Sequence, residues 1–262
     1  MCGIAGYSLS PTSSVERTLA AQSLLAGIAE RGADAVGYCH RRDGEITVHK
    51  QQTGASDLLE RLDVPEDALQ VLVHVRDYTK GHPTIAANNH PIRHGRIVGI
   101  HNGIIFNDEE VFAAHGFERA EPEMTVDSEA IFALVEERGN SSAALEELRG
   151  AMATAWLDEA RSQVVYIARG VGRPLWVGTG RREAFFASTE FALETVERFA
   201  GIKLHKREVP EGTLAALADG RIAWSERFRP NRAWEEERRL PAIRAPHEGA
   251  SCLARLAVLA AV

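Results

Sequence analysis

The chain has 262 residues, 45% hydrophobic and 26% charged, a balance that excludes disorder and fibre and suits one large domain or one domain with a short appendage. Thirty Lys and Arg against 37 Asp and Glu leave a net charge of -7, so the chain lacks the basic footprint of a nucleic-acid binder. A small polar substrate fits this balance better.

The spacing predicts a short strand over residues 2 to 9 that ends at Ser10-Pro11, then a helix in SVERTLAAQSLLAGIAERG, where Leu19, Leu24, Leu25 and Ile28 recur at helical intervals. The turn Arg31-Gly32-Ala33-Asp34-Ala35-Val36-Gly37 leads into two strands joined at Asp43-Gly44, a hairpin signal. A helix is expected over about 55 to 70, followed by the strand VLVHVR from Val71 and a loop broken by Gly and Pro over 79 to 91. RIVGIHNGII reads as another apolar strand ending in a polar turn. Helices are expected at about 108 to 115, 127 to 138 and 142 to 149, and strands at 152 to 158, 163 to 169, 175 to 178 and 184 to 187. A helix at 190 to 198 and strands near 207 to 209, 213 to 218 and 221 to 225 complete the domain.

Strands and helices do not alternate regularly enough for a doubly wound parallel sheet, so the expected class is α+β, with stacked antiparallel sheets flanked by helices. From about residue 229 the chain is charged and broken by Pro241, Pro246 and Gly249, which reads as a linker or arm over 229–262. The first ten residues lack the basic region and apolar run of a secretory signal, and no stretch reaches the roughly 18 to 20 apolar residues that cross a bilayer. Cys2, Cys39 and Cys252 are too few and too scattered for a disulfide framework or a zinc site. The cytoplasm is the expected compartment. No metal, cofactor, nucleic acid or membrane partner is expected.

Three local patterns carry chemistry. Met1 precedes a small residue and is of the kind that is trimmed, which would leave Cys2 bearing both a thiol and a free α-amine. An amine with a pKa near 7.7 to 8.0 can take the thiol proton and return it to a leaving group. Cys2 can equally be a small apolar residue opening a buried strand. His101-Asn102-Gly103 could supply two donors to an oxyanion, the Asn amide and the Gly backbone N–H, although Asn-Gly alone is also a hairpin turn. Period-2 alternation puts His74, Arg76 and Tyr78 on one strand face, where Arg76 could clamp a carboxylate or form a surface ion pair. Asp127 stands as the N-cap of DSEAIFALVEE, and its carboxylate could also receive a substrate ammonium. His82, His94, His115, His205 and His247 have no metal-ligand spacing and read as surface or packing residues.

Taken in order, Cys2-Gly3-Ile4-Ala5-Gly6, Arg31-Gly32-Ala33-Asp34 with Gly37, Arg76 to Thr79, Asn89-His90-Pro91, His101-Asn102-Gly103-Ile104-Ile105 and Asp127-Ser128-Glu129 resemble the class II glutamine amidotransferases. The likeness is greatest to the glutaminase domain of the glucosamine 6-phosphate synthases and covers roughly residues 2–228. The resemblance implies an N-terminal nucleophile hydrolase fold, a four-layer αββα sandwich, with Cys2 as nucleophile once Met1 is lost. It also implies Asn102 and Gly103 as the oxyanion hole, Arg76 on the α-carboxylate of L-glutamine, Asp127 on its α-ammonium, Thr79 and Gly103 lining the pocket, and Arg31 and His90 in support. Asp77 and Lys80 stand where that pattern has Trp and His, and in that family the Trp lies near the ammonia exit and the mobile loop.

The expected function is thus a glutamine-hydrolysing amidotransferase module that passes ammonia to a partner synthetase or transferase subunit and could be a homo-oligomer. A stand-alone amidase on another acyl amide and a non-catalytic glutamine-binding regulatory subunit are the alternatives.

Overall fold

Two antiparallel sheets form the centre of the molecule in a computed structural model that describes residues 1–232 and 241–261. The strands are β1 (Gly3–Leu9), β2 (Ala35–Arg42), β3 (Glu45–Gln51), β4 (Gln70–Arg76), β5 (Ile92–His94), β6 (Ile97–Ile105), β7 (Gly150–Asp158), β8 (Val164–Arg169), β9 (Trp176–Thr179), β10 (Glu183–Ala187), β11 (His205–Glu208), β12 (Thr213–Ala218) and β13 (Arg221–Arg227). The helices are α1 (Arg17–Ile28), α2 (Ala55–Leu59), α3 (Asp108–His115), α4 (Glu129–Arg138), α5 (Ser142–Glu146), α6 (Glu190–Ala200) and α7 (Pro246–Leu259). One sheet runs β11-β9-β10-β1-β4-β2-β3 and the other β13-β12-β8-β7-β6-β5.

Strand alternation sorts the apolar residues into three clusters and so fixes the layers. On β1 and β4, Ala5, Tyr7, Leu9, Val71, Val73 and Val75 face α1, α6 and α7, while Ile4 and Leu72 face the other sheet. On β6 and β7, Val98, Ile100, Ala153, Ala155 and Leu157 face back across the interface, and Ile97, Ile105, Met152 and Trp156 turn outward to α4. The order is helices, sheet, sheet, helices, as expected. The same alternation places the site, because Cys2 shares the parity of Ile4, and Asn102 that of Ile100.

Three expectations differ from what is observed. The helix expected over 55 to 70 stops at Leu59, Pro65 bars a helix from running on through the segment, and Leu62, Val64 and Ala68 are buried from irregular chain instead. β5 was not expected: three residues, too few to show a period, pair with β6 at Ile92↔Gly99. Where an arm was expected, residues 246–259 form α7. Pro246 opens that helix, where a missing N–H costs nothing, and Gly249, Cys252 and Leu256 form its buried stripe. Residues 233–240 of the expected arm lie outside the described residues.

Candidate active site

Cys2 immediately precedes β1, the strand flanked by β4 and β10 at the middle of its sheet. Arg31 Nε donates to the Cys2 carbonyl at 2.8 Å, and the Cys2 thiol donates to the Asp77 carbonyl at 3.4 Å. Burial pushes the thiol pKa up, so the group is protonated at neutral pH and needs a base before it can attack. Asp77 offers it only a carbonyl, which accepts a hydrogen bond but cannot take the proton.

Across the interface, Asn102 lies on β6 opposite Ala153 and is fully buried. Neither its amide nitrogen nor its amide oxygen has a hydrogen-bond partner among the described residues, an arrangement that is costly unless a ligand supplies one. Gly103 follows it, and a Cβ there would stand 1.9 Å from the Ala151 carbonyl oxygen, so only glycine can hold this stretch of β6 against β7.

Cys2, Arg76, Thr79, His90, Gly103 and Asp127 all line one cavity, together with Lys80 and Ser128. It has about 10 Å³ of free space, room for about one water, and Thr79 and Lys80 of the loop after β4 line it. Arg76 is buried rather than part of a surface ion pair. Its Nη1 donates to Asn89 Oδ1 at 2.5 Å and its Nη2 to the Lys80 carbonyl at 2.9 Å and to the Gly81 carbonyl. Lys80 ties the loop down through its Nζ, 2.5 Å from Asp108 Oδ2 at the start of α3. The loop carbonyls thus share the Arg76 guanidinium with whatever enters the cavity. Tyr78 lies beyond the end of β4 and is exposed, so the alternation that pairs His74 with Arg76 stops short of it.

Asp127 does not cap α4 with its side chain. Its carboxylate accepts the Ile105 N–H at 2.6 Å, at the end of β6, and burial pushes its pKa up to about 6. Arg31 and His90 are buried. His90 stacks on His74 with centroids 4.3 Å apart, and neither of its ring nitrogens has a partner among the described residues.

Sequence reasoning did not assign a role to the layer beneath the pocket. His74 Nε2 donates to the His101 carbonyl at 3.1 Å, while His101 Nδ1 meets Ser128 Oγ at 2.8 Å. Burial pulls both histidines down to about 3, so they are neutral struts that link β4, β6 and the start of α4. The alternation that put His74 on the face of Arg76 was the available signal.

The glutamine amidotransferase domain family matches residues 80–195. The glutamine–fructose-6-phosphate aminotransferase (isomerizing) of Zymomonas mobilis is 32% identical over 211 residues, 74% of this chain and 32% of its own length. The enzyme of the same name from Staphylococcus aureus is 30% identical over 239 residues, 85% of this chain and 38% of its own. This chain therefore spans about a third of the length of the curated relatives it matches. Among solved structures, the glutamine phosphoribosylpyrophosphate amidotransferase of B. subtilis, complexed with ADP and GMP, superposes with a TM-score of 0.66 at 22% identity. The allosteric regulatory enzyme of purine biosynthesis gives 0.69 at 22% identity, and each superposition covers 88% of this chain and 50% of the other. At that identity the two structures bear on the fold, and they share its two antiparallel sheets with flanking helices.

Proposed function

The chain carries a class II glutamine amidotransferase domain, and on that premise we propose that it hydrolyses L-glutamine through a Cys2 glutamyl thioester and releases ammonia and glutamate. The observation that carries this reading is the buried, unpartnered amide of Asn102, which shares with Val98 and Ile100 the parity that faces the other sheet and directly precedes Gly103 of the Cys2 cavity. A donor left without a partner in a dry interface is what a developing oxyanion requires.

The α-amine of Cys2, freed by loss of Met1, takes the thiol proton, because Asp77 offers only a carbonyl and the histidines beneath the site are neutral struts. The thiolate adds to the side-chain amide carbon, and the oxygen that becomes negative is held by the Asn102 amide and the Gly103 N–H. The amine then returns its proton to the departing nitrogen, and ammonia leaves. Water adds to the thioester, expels the thiolate, and glutamate is released. Arg76 and Asp127 hold the α-carboxylate and the α-ammonium, Thr79 lines the pocket, and Arg31 and His90 support it. The loop carbonyls that occupy Arg76 give way as substrate enters.

The ammonia acceptor is a partner synthetase or transferase subunit in the cytoplasm, and residues 2–228, with α7 packed on them, are the glutaminase unit. Ammonia release from glutamine by purified protein tests this reading. Turnover of simple acyl amides with no preference for free glutamine favours the general amidase instead, and glutamine binding without release favours a regulatory subunit.

A further inference from the structure

A nucleophile at a chain end is held by covalent bonds on one side only, and terminal residues fray unless they are tied down. Pairing of β1 begins at Gly3, opposite Val75, so the ladder stops one residue short of Cys2. Beyond that point Cys2 is held by Arg31 and Asp77, and both are backed from the other end of the chain.

α7 packs against α1, α2 and the 3-10 turn Ala29–Arg31. Glu248 fixes it to α2 by accepting the Ser56 N–H at 2.8 Å. Gly249 passes so close to the turn that a Cβ there would stand 2.9 Å from the Glu30 Cβ. Just before the helix, the Arg244 and Ala245 N–H groups both donate to the Glu30 carbonyl, at 2.9 and 2.8 Å. Glu30 is next to Arg31, which holds the Cys2 carbonyl. On the other side, the Arg244 Nε lies 3.3 and 3.4 Å from the two Asp77 carboxylate oxygens. The carbonyl of Asp77 accepts the Cys2 thiol, and its carboxylate also pairs with the Met1 ammonium.

We propose that residues 241–259 brace the nucleophile from two sides, through Glu30 and Arg31 on one and Asp77 on the other, with Asp77 and Arg244 as positioning residues that hold the Cys2 thiol in register. This deepens the glutaminase reading and rests on it. Arg244 acts through Asp77, which directly follows β4 and whose carbonyl accepts the Cys2 thiol. The Arg244 guanidinium is partly exposed, so its effect comes through geometry and is graded rather than total.

The test uses full-length protein carrying Arg244→Ala, Arg244→Lys, Asp77→Asn or the first and third together. Glutaminase kinetics are read alongside the rate at which iodoacetamide alkylates Cys2, followed by peptide mass. Arg244→Ala should lower kcat by about five- to tenfold with little change in KM, and should change the alkylation rate of Cys2. Arg244→Lys should recover most of both. The double variant should be no worse than Asp77→Asn, since the two residues act as one unit. Wild-type kcat and alkylation rate in Arg244→Ala, or losses that multiply in the double variant, would overturn the brace. A wild-type protein that releases no ammonia from glutamine overturns the glutaminase reading alone, because the alkylation rates still decide whether the brace acts on Cys2.

Discussion

The Asp127 carboxylate accepts the Ile105 backbone N–H at 2.6 Å, which joins the start of α4 to the end of the strand that carries Asn102 and Gly103. Burial raises the pKa of this acid to about 6. If its ionised form receives the substrate ammonium, the KM for glutamine should rise as pH falls through 6, by about tenfold per unit well below it. Asp127→Asn should raise KM at pH 8 and flatten that dependence. A pH-independent KM in the wild type between pH 5 and 8 would remove Asp127 from the ammonium site.

The same shift has a consequence for stability. A carboxyl whose folded pKa lies above its unfolded value favours the neutral form in the fold. The penalty is therefore absent below the unfolded value of 3.8, grows as pH rises to about 6, and is full above it. Asp127→Asn keeps an oxygen for the Ile105 N–H and removes the charge, so it should melt higher than wild type at pH 8, by up to about 3 kcal/mol, and not at pH 4. Thermal unfolding at the two pH values reads this directly.

Asn102→Ala should lower kcat by about 100- to 1000-fold with a smaller change in KM, as loss of an oxyanion donor does. It should not destabilise the fold, because the amide it removes is buried without a partner. A variant with wild-type kcat would show that the unpaired amide serves something other than the reaction.

Much of the fold was legible because its signals are local. The hairpin at Asp43-Gly44, the strand Thr213–Ala218 and the helix Asp108–His115 follow from turn chemistry and periodicity in a few residues. α7 was not legible, because Pro246 and Gly249 read as breakers until their partners are known. Pro246 sits at the first helical position, and Gly249 is small because Glu30 lies against it. In the site, the order of the motifs pointed to Cys2, Arg76, Asn102, Gly103 and Asp127; Cys2, Arg76, Thr79, His90, Gly103 and Asp127 line one cavity, and Arg31 donates to the Cys2 carbonyl. The loop carbonyls on Arg76 and the Arg244 contact with Asp77 depend on residues brought together from distant parts of the chain, which no window of sequence displays.

Substrate length should be read strictly. With Arg76 and Asp127 holding both ends of the free amino acid, asparagine leaves its amide carbon short of Cys2, and a misplacement of about 1 Å costs around 100-fold. Arg76→Lys should be severe as well, because an ammonium cannot reproduce the two-pronged contact with a carboxylate or hold Asn89 and the Lys80 carbonyl together. Comparable kcat/KM for glutamine and asparagine, or a wild-type rate in Arg76→Lys, would favour the general amidase.

The central claim is that Cys2, at a free N-terminus, is the nucleophile. Cys39 and Cys252 are fully buried, and burial pushes both thiols up to about 12, so neither competes as a thiolate. The direct measurement is mass mapping of the protein after reaction with a glutamine analogue that carries an electrophile at the side-chain carbonyl, with glutaminase activity followed in parallel. One adduct is expected, on Cys2 of chains that lack Met1, formed in step with loss of activity. An adduct on Cys39 or Cys252, or full activity in chains that retain Met1, would contradict the claim.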